Sequence, residues 1–137
     1  MIVADTGAVI ALIDSDDRHH EALLRAYERD PDAWILPWAI LPEIDYLLAT
    51  HVSVDAERAF LRDVAESRYA IEWGRPADLL RARQLNDRYR DLELGLVDAV
   101  VLAIAERHDA EAIATLDVRD FGAVKLQTSP ALWPRDL

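Results

Sequence analysis

The sequence predicts an α/β fold built on a parallel sheet with helices on both sides. Two observations carry this reading. The runs that suit strands are short and apolar on both faces, as strands buried between two layers must be. They also alternate with longer segments of helical periodicity, the order that builds parallel sheets through crossover helices. In such sheets, ligands sit beyond the carboxyl ends of the strands where strand order reverses, and that rule says where chemistry-bearing side chains belong.

The elements follow in order. MIVA is β-rich and ends at Asp5, Thr6 and Gly7, after which AVIALI continues as a short helix. DSDDRHH is turn-like and offers Ser15, Asp16 or Asp17 to cap a helix from about His20 to Arg29, with Leu23, Leu24, Ala26 and Tyr27 on its apolar side. Asp30-Pro31 stops that helix. Trp34 to Leu36 reads as a second buried strand, and Pro37 and Pro42 bracket the entry to a helix with Glu43 in its first turn. Val54 to Ala65 is an amphipathic helix, Tyr69 to Trp73 alternates like a strand, and Arg75 to Arg90 is a charged helix. Leu96 to His108 is an apolar helix, Ala112 to Leu116 a strand, and Val124 to Gln127 a final short strand. The tail SPALWPRDL, with two prolines, is expected to be irregular. No repeat or linker interrupts the chain, so residues 1–137 read as a single domain.

The formal charge of −11 argues against holding nucleic acid through a broadly basic surface, because that affinity comes largely from neutralised phosphates. It leaves open an enzyme that meets nucleic acid at one place, since acids gathered around a cation are neutralised by it. The absence of cysteine removes disulfides, thiolate zinc sites and cysteine nucleophiles, so any metal is held by oxygen or imidazole. No signal peptide or membrane span is recognisable, and a cytoplasmic location with no membrane partner is expected.

Asp5 follows the first strand and Asp117 follows AIATL, so both are expected at one edge of the sheet. Glu43 and Asp98 each fall in the first turn of a helix able to point toward that edge. Asp98 interrupts the otherwise apolar run GLVDAVVLAIA, where an unpaired buried carboxylate is expensive. A carboxylate cluster without cysteine or paired histidines suits hard cations, Mg²⁺ or Mn²⁺, which activate water and stabilise the charge of a phosphodiester under in-line attack. Each acid also has a plainer role on its own. Asp5 suits a helix cap, Asp98 and Glu43 complement helix dipoles, Asp117 suits a cap on the short turn VRDF, and Asp120 suits a pair with Arg119 or Arg135. The chemical reading rests on the set.

VADTGAVIAL, LPEIDYLL, LGLVDAVVLAIAERH and IATLDVRDF occur in that order and together span nearly the whole chain. In these segments the sequence resembles the PIN-domain ribonucleases, and among them the VapC-like toxins of toxin–antitoxin pairs. The resemblance implies a three-layer α/β/α fold with a short central parallel sheet of about 4–5 strands. It also implies Mg²⁺-dependent RNA cleavage, with Mn²⁺ able to substitute. The family's acids correspond to Asp5, Glu43, Asp98 and Asp117, its hydroxyl near the last acid to Thr115. Gly7 departs from the family's frequent serine, while Thr6 remains, and Thr6, Thr115 and Asp120 are taken as supporting residues of the site. A cognate VapB-like antitoxin with a basic tail and a homodimer are further implications. Trp34, Trp38, Tyr46 and Trp133 are candidate apolar anchors for the antitoxin.

RNA requires attraction to an acidic protein. Arg81 and Arg88 share a helix face by their spacing and are the candidate RNA contacts, against the alternative of a solvated face paired with neighbouring aspartates. His19 and His20 are expected to pack or cap rather than bind metal. Two rival classes remain: a receiver-like or phosphoaspartate domain, which lacks its second acid near Asp5, and a non-catalytic acidic binding module.

Overall fold

The computed structural model describes residues 1–137. Five strands, β1 (Ile2–Ala4), β2 (Trp34–Pro37), β3 (Ala70–Glu72), β4 (Ala112–Ala114) and β5 (Ala131–Trp133), form one sheet in the order β3-β2-β1-β4-β5. Every neighbouring pair is parallel. The helices are α1 (Thr6–Ile13), α2 (His20–Arg29), α3 (Leu41–Leu47), α4 (Val54–Ala65), α5 (Pro76–Arg88), α6 (Gly95–Arg107) and α7 (Val118–Ala123). They flank the sheet in a three-layer α/β/α arrangement. The chain lays β2 and β3 outward on one side of β1, then crosses to place β4 and β5 on the other. The reversal of order therefore falls between β1 and β4.

Burial explains the local sequences. Every residue of β1 and β4 is buried, which is why neither alternates with polar residues. All residues of α6 from Ala99 to Ala105 are buried, because the helix packs against both the sheet and α5. The apolar run around Asp98 is thus a helix covered on several sides. At its start, Gly95 adopts φ +77°, a conformation that costs glycine little, and its amide donates to Asn86 Oδ1 at 3.1 Å. At its end, Arg107 forms a two-point pair with buried Asp78 (2.8 and 2.9 Å) and reaches Glu72 at 3.1 Å. Two acids share one guanidinium here, and both carboxyls are held below their usual range: burial opposes this, but the bonds to Arg107 and to backbone amides prevail.

The sequence reading of α2 and α4 matches the structure residue for residue, and Ser53 caps α4 by accepting the Ala56 amide at 3.0 Å. The cap offered for α2 is different. Asp17 accepts the His19 amide at 2.7 Å from two residues ahead of the N-cap position, and the N-cap itself, His19, makes no side-chain cap bond. His20 Nδ1 lies 2.9 Å from the Ala11 carbonyl and ties α2 to α1, a packing role as expected.

The last strand is a correction. Residues Val124 to Gln127 form no strand, and the tail expected to be irregular supplies β5 instead. Tyr89 is the reason at one position: its hydroxyl accepts the Lys125 amide at 3.0 Å and lies 3.5 Å from the Lys125 carbonyl. Glu106 takes the Gln127 amide at 2.7 Å. With that backbone engaged by side chains, the free edge of β4 is met by Ala131–Trp133, where Ala131 donates to Glu111 and Thr115 to Trp133. Pro130 and Pro134 flank this strand, and an edge position tolerates them. The segment VRDF, expected as a turn, is the start of helix α7. No helix is long and apolar enough to cross a membrane.

Candidate metal centre

The centre is built at the reversal between β1 and β4. The Asp5 amide donates to the Ala114 carbonyl at 2.8 Å, so the parallel ladder runs one residue past β1 and brings Asp5 beside Thr115. There Thr115 Oγ1 donates to Asp5 Oδ2 at 3.0 Å and accepts the Asp117 amide at 3.0 Å. The other Asp5 oxygen, Oδ1, accepts the Thr6 amide at 2.8 Å, which makes Asp5 the cap of α1 as well. The helix-cap role and a role in the site are thus compatible, because a carboxylate has enough lone pairs for both.

Asp98 enters from the first turn of α6, and Asp117 and Asp120 from the start of α7. Each of these three offers a carboxylate oxygen within 4.8 Å of the others. Asp117 also caps α7 by accepting the Asp120 amide at 3.1 Å, so the short helix fixes the spacing of its two acids. Asp120 therefore lies with the acids and pairs with neither arginine considered for it; Arg135 is bound to Asp136 instead. Glu43 lies exposed in the first turn of α3 and reaches the group by charge alone, raising the proton affinity of both Asp5 and Asp98.

The electrostatics are those of crowded acids with no basic partner. Burial, offset in part by the bonds from Thr6 and Thr115, and the Glu43 and Asp117 charges push the Asp5 carboxyl up to about 6. Burial and the charges of Asp5, Asp117, Glu43 and Asp120 push Asp98 up to about 7. Thr6 Oγ1 is buried next to Asp5 in the chain and has no hydrogen-bond partner. An all-oxygen donor set and mutual repulsion that a cation relieves, next in sequence to a buried hydroxyl without a partner, fit a hard divalent ion.

The remaining sequence candidates lie elsewhere. Arg81 is engaged by Glu106 through two bonds of 2.7 and 3.1 Å, and Arg88 is exposed with its guanidinium 5.5 Å from the Tyr89 ring centre. Trp34 is buried against Tyr27 and Trp133, so it belongs to the core, whereas Tyr46 is exposed.

The chain is thus a parallel α/β/α unit with an acidic cluster able to hold a cation at its topological switch point, the place where ligands bind in such sheets. The PIN domain pattern matches residues 2–125, and the chain belongs to that family, among its VapC-like toxins. It is 32% identical over 124 residues to Ribonuclease VapC26 of Mycobacterium tuberculosis, covering 90% of this chain and 92% of that protein. Among solved structures it is similar in fold to VapC20 of M. tuberculosis, described as a Sarcin-Ricin loop cleaving toxin. The TM-score is 0.79 at 20% identity, over 95% of this chain and 100% of the other. VapBC2 of Rickettsia felis, solved bound to a DNA fragment from its promoter, is similar with a TM-score of 0.72 at 15% identity, over 97% and 99% of the two chains.

Proposed function

We propose that this protein is a metal-dependent endoribonuclease, the toxin of a VapBC-type pair, acting in the cytoplasm. The observation that carries the reading is the gathering of Asp98, Asp117 and Asp120 within 4.8 Å of one another at the β1–β4 switch point, with Asp5 tied to Asp117 through Thr115 and Glu43 reaching Asp5 and Asp98 by charge. Asp5, Asp98 and Asp117 hold the cation, with Glu43 and Asp120 completing its surroundings. Mg²⁺, or Mn²⁺ in its place, supplies activation of water and stabilisation of phosphodiester charge when bound. The chain's own part is positional. Thr115 orients Asp5 and the Asp117 backbone together, while the first turn of α6 brings Asp98 within 4.8 Å of Asp117. The substrate is RNA, hydrolysed at its phosphodiester bonds.

A VapB-like antitoxin and a homodimer belong to the same proposal. The acidic crevice and the net charge of −11 suit a basic inhibitory tail, and exposed Tyr46 offers an apolar anchor. The test is to incubate antitoxin-free protein with total cellular RNA in Mg²⁺, Mn²⁺ or EDTA, beside Asp98→Asn, and to map the new ends. Discrete cuts that need metal and vanish in the variant are the expected result. No cutting in any condition, from a folded protein that still captures a basic partner, sinks the reading in favour of a binding module.

A further inference from the structure

A groove of about 410 Å³ opens beside the acidic centre and shares Thr115 with it. Its basic walls are Arg18 and His19, at the amino end of α2, and Arg135, just past β5. Its apolar surface comes from Leu116, Val118 and Pro134. For a chain with a net charge of −11 this lining is unusual: it holds two guanidiniums and an imidazole and no carboxylate. The side-chain partner of Arg18 is His19, whose Nε2 accepts from Arg18 Nε at 3.1 Å. Arg135 is held by two bonds to Asp136, at 2.7 and 2.9 Å, which fix the guanidinium at the rim and neutralise part of its charge.

Such a groove matches one ligand chemistry well. A nucleotide presents an anionic phosphate to a basic rim and a flat base and ribose to apolar side chains. The volume lies within the range of about 300–1,000 Å³ typical of small-ligand sites. Resting on the nuclease reading above, we infer that this groove seats the nucleotide next to the phosphodiester held at the acidic centre. Arg18 and Arg135 take its phosphate, and Leu116, Val118 and Pro134 take its ribose and base. Thr115, common to both, sets the distance between the seat and the carboxylates. The strand thus leaves the centre between α2 and the chain after β5, and not along α5, where Arg81 is clamped to Glu106 of α6.

The test measures cleavage of a short RNA spanning a mapped cut site by wild type, Arg18→Ala/Arg135→Ala and Arg81→Ala/Arg88→Ala, across a salt series, with Mn²⁺ affinity measured in parallel. The groove variant is expected to raise KM about tenfold with kcat within about twofold, and to flatten the dependence of log KM on log salt by about one unit. Its Mn²⁺ affinity is expected to be unchanged, and Arg18→Glu to exceed Arg18→Ala. Cleavage by wild type with the same KM and salt slope in the groove variant overturns the seat, leaves the nuclease reading standing, and returns the groove to an acidic segment of a protein partner. Absence of cleavage by wild type overturns both.

Discussion

Thr115 Oγ1 bridges the site, donating to Asp5 Oδ2 and accepting the Asp117 amide, both at 3.0 Å. One buried hydroxyl thus joins the ends of β1 and β4 and favours the ionised form of Asp5 against the burial that opposes it. Thr115→Val removes both bonds and is expected to cost about 1–3 kcal/mol in stability and about 10–100-fold in Mn²⁺ affinity, the usual scale for a partner that orients a ligand. Thr115→Ser is expected to restore both. Urea melts and Mn²⁺ titrations check this; a valine variant with wild-type metal affinity removes Thr115 from the site.

Asp98 stands among charges of its own sign. Its carboxyl holds a proton up to about pH 7 in the fold, whereas the unfolded chain releases it near the ordinary value of 3.8. The native state therefore binds more protons than the unfolded one between those values, and Asp5 adds to this up to about 6. The contribution of these two carboxyls to the stability of the metal-free protein falls as pH rises from about 4 to about 7. Asp98→Asn is expected to stabilise the metal-free protein by about 1–3 kcal/mol at pH 7.5, with much less gain at pH 4. Denaturation in EDTA at the two pH values reads the difference, and a variant less stable at pH 7.5 contradicts the crowding.

The same two carboxyls couple metal to protons. Near pH 6, Asp98 is mostly protonated and Asp5 about half so, and a cation displaces what they hold. Calorimetry of Mn²⁺ binding in buffers of different ionisation enthalpy is expected to show release of roughly one to one and a half protons at pH 6 and close to none at pH 8.5, with affinity rising between them. Equal release at both values places the metal elsewhere.

Arg81 and Glu106 form a clamp between α5 and α6, and Glu106 also holds the Gln127 amide. Because Glu106 is largely buried, Arg81→Ala is expected to destabilise the protein by about 1–3 kcal/mol, whereas exposed Arg88→Ala changes stability by less than about 0.5 kcal/mol. Thermal or chemical melts of the single variants distinguish a structural arginine from a free one. Equal effects would show that the clamp contributes little.

The strands and helices were legible where one residue pattern served one neighbour. Continuous apolar runs marked β1, β2 and β4, and Asp30-Pro31 marked a helix end that the structure keeps. The reading failed where a side chain competed for backbone bonds. Val124 to Gln127 has a strand's composition, yet Tyr89 and Glu106 occupy its amides, and both lie far away in sequence. The tail looked irregular because of Pro130 and Pro134, which do not prevent a three-residue strand at an edge.

The sequence by itself determined the inventory: acids placed just after strands or in first turns, no sulfur ligand, an excess of negative charge, and the family segments in their order. Those are properties of local pattern and composition, which the chain carries before it folds. Only the tertiary structure decided which acids meet. Asp120 joined Asp98 and Asp117 because α7 forms and holds two carboxylates at a fixed spacing, and Glu43 stayed at the margin, acting by charge. It likewise decided that Arg81 is bound to Glu106 while Arg18, His19 and Arg135 gather at Thr115 from opposite ends of the chain. Distances between side chains remote in sequence are set by strand order and helix packing, and no local pattern records them.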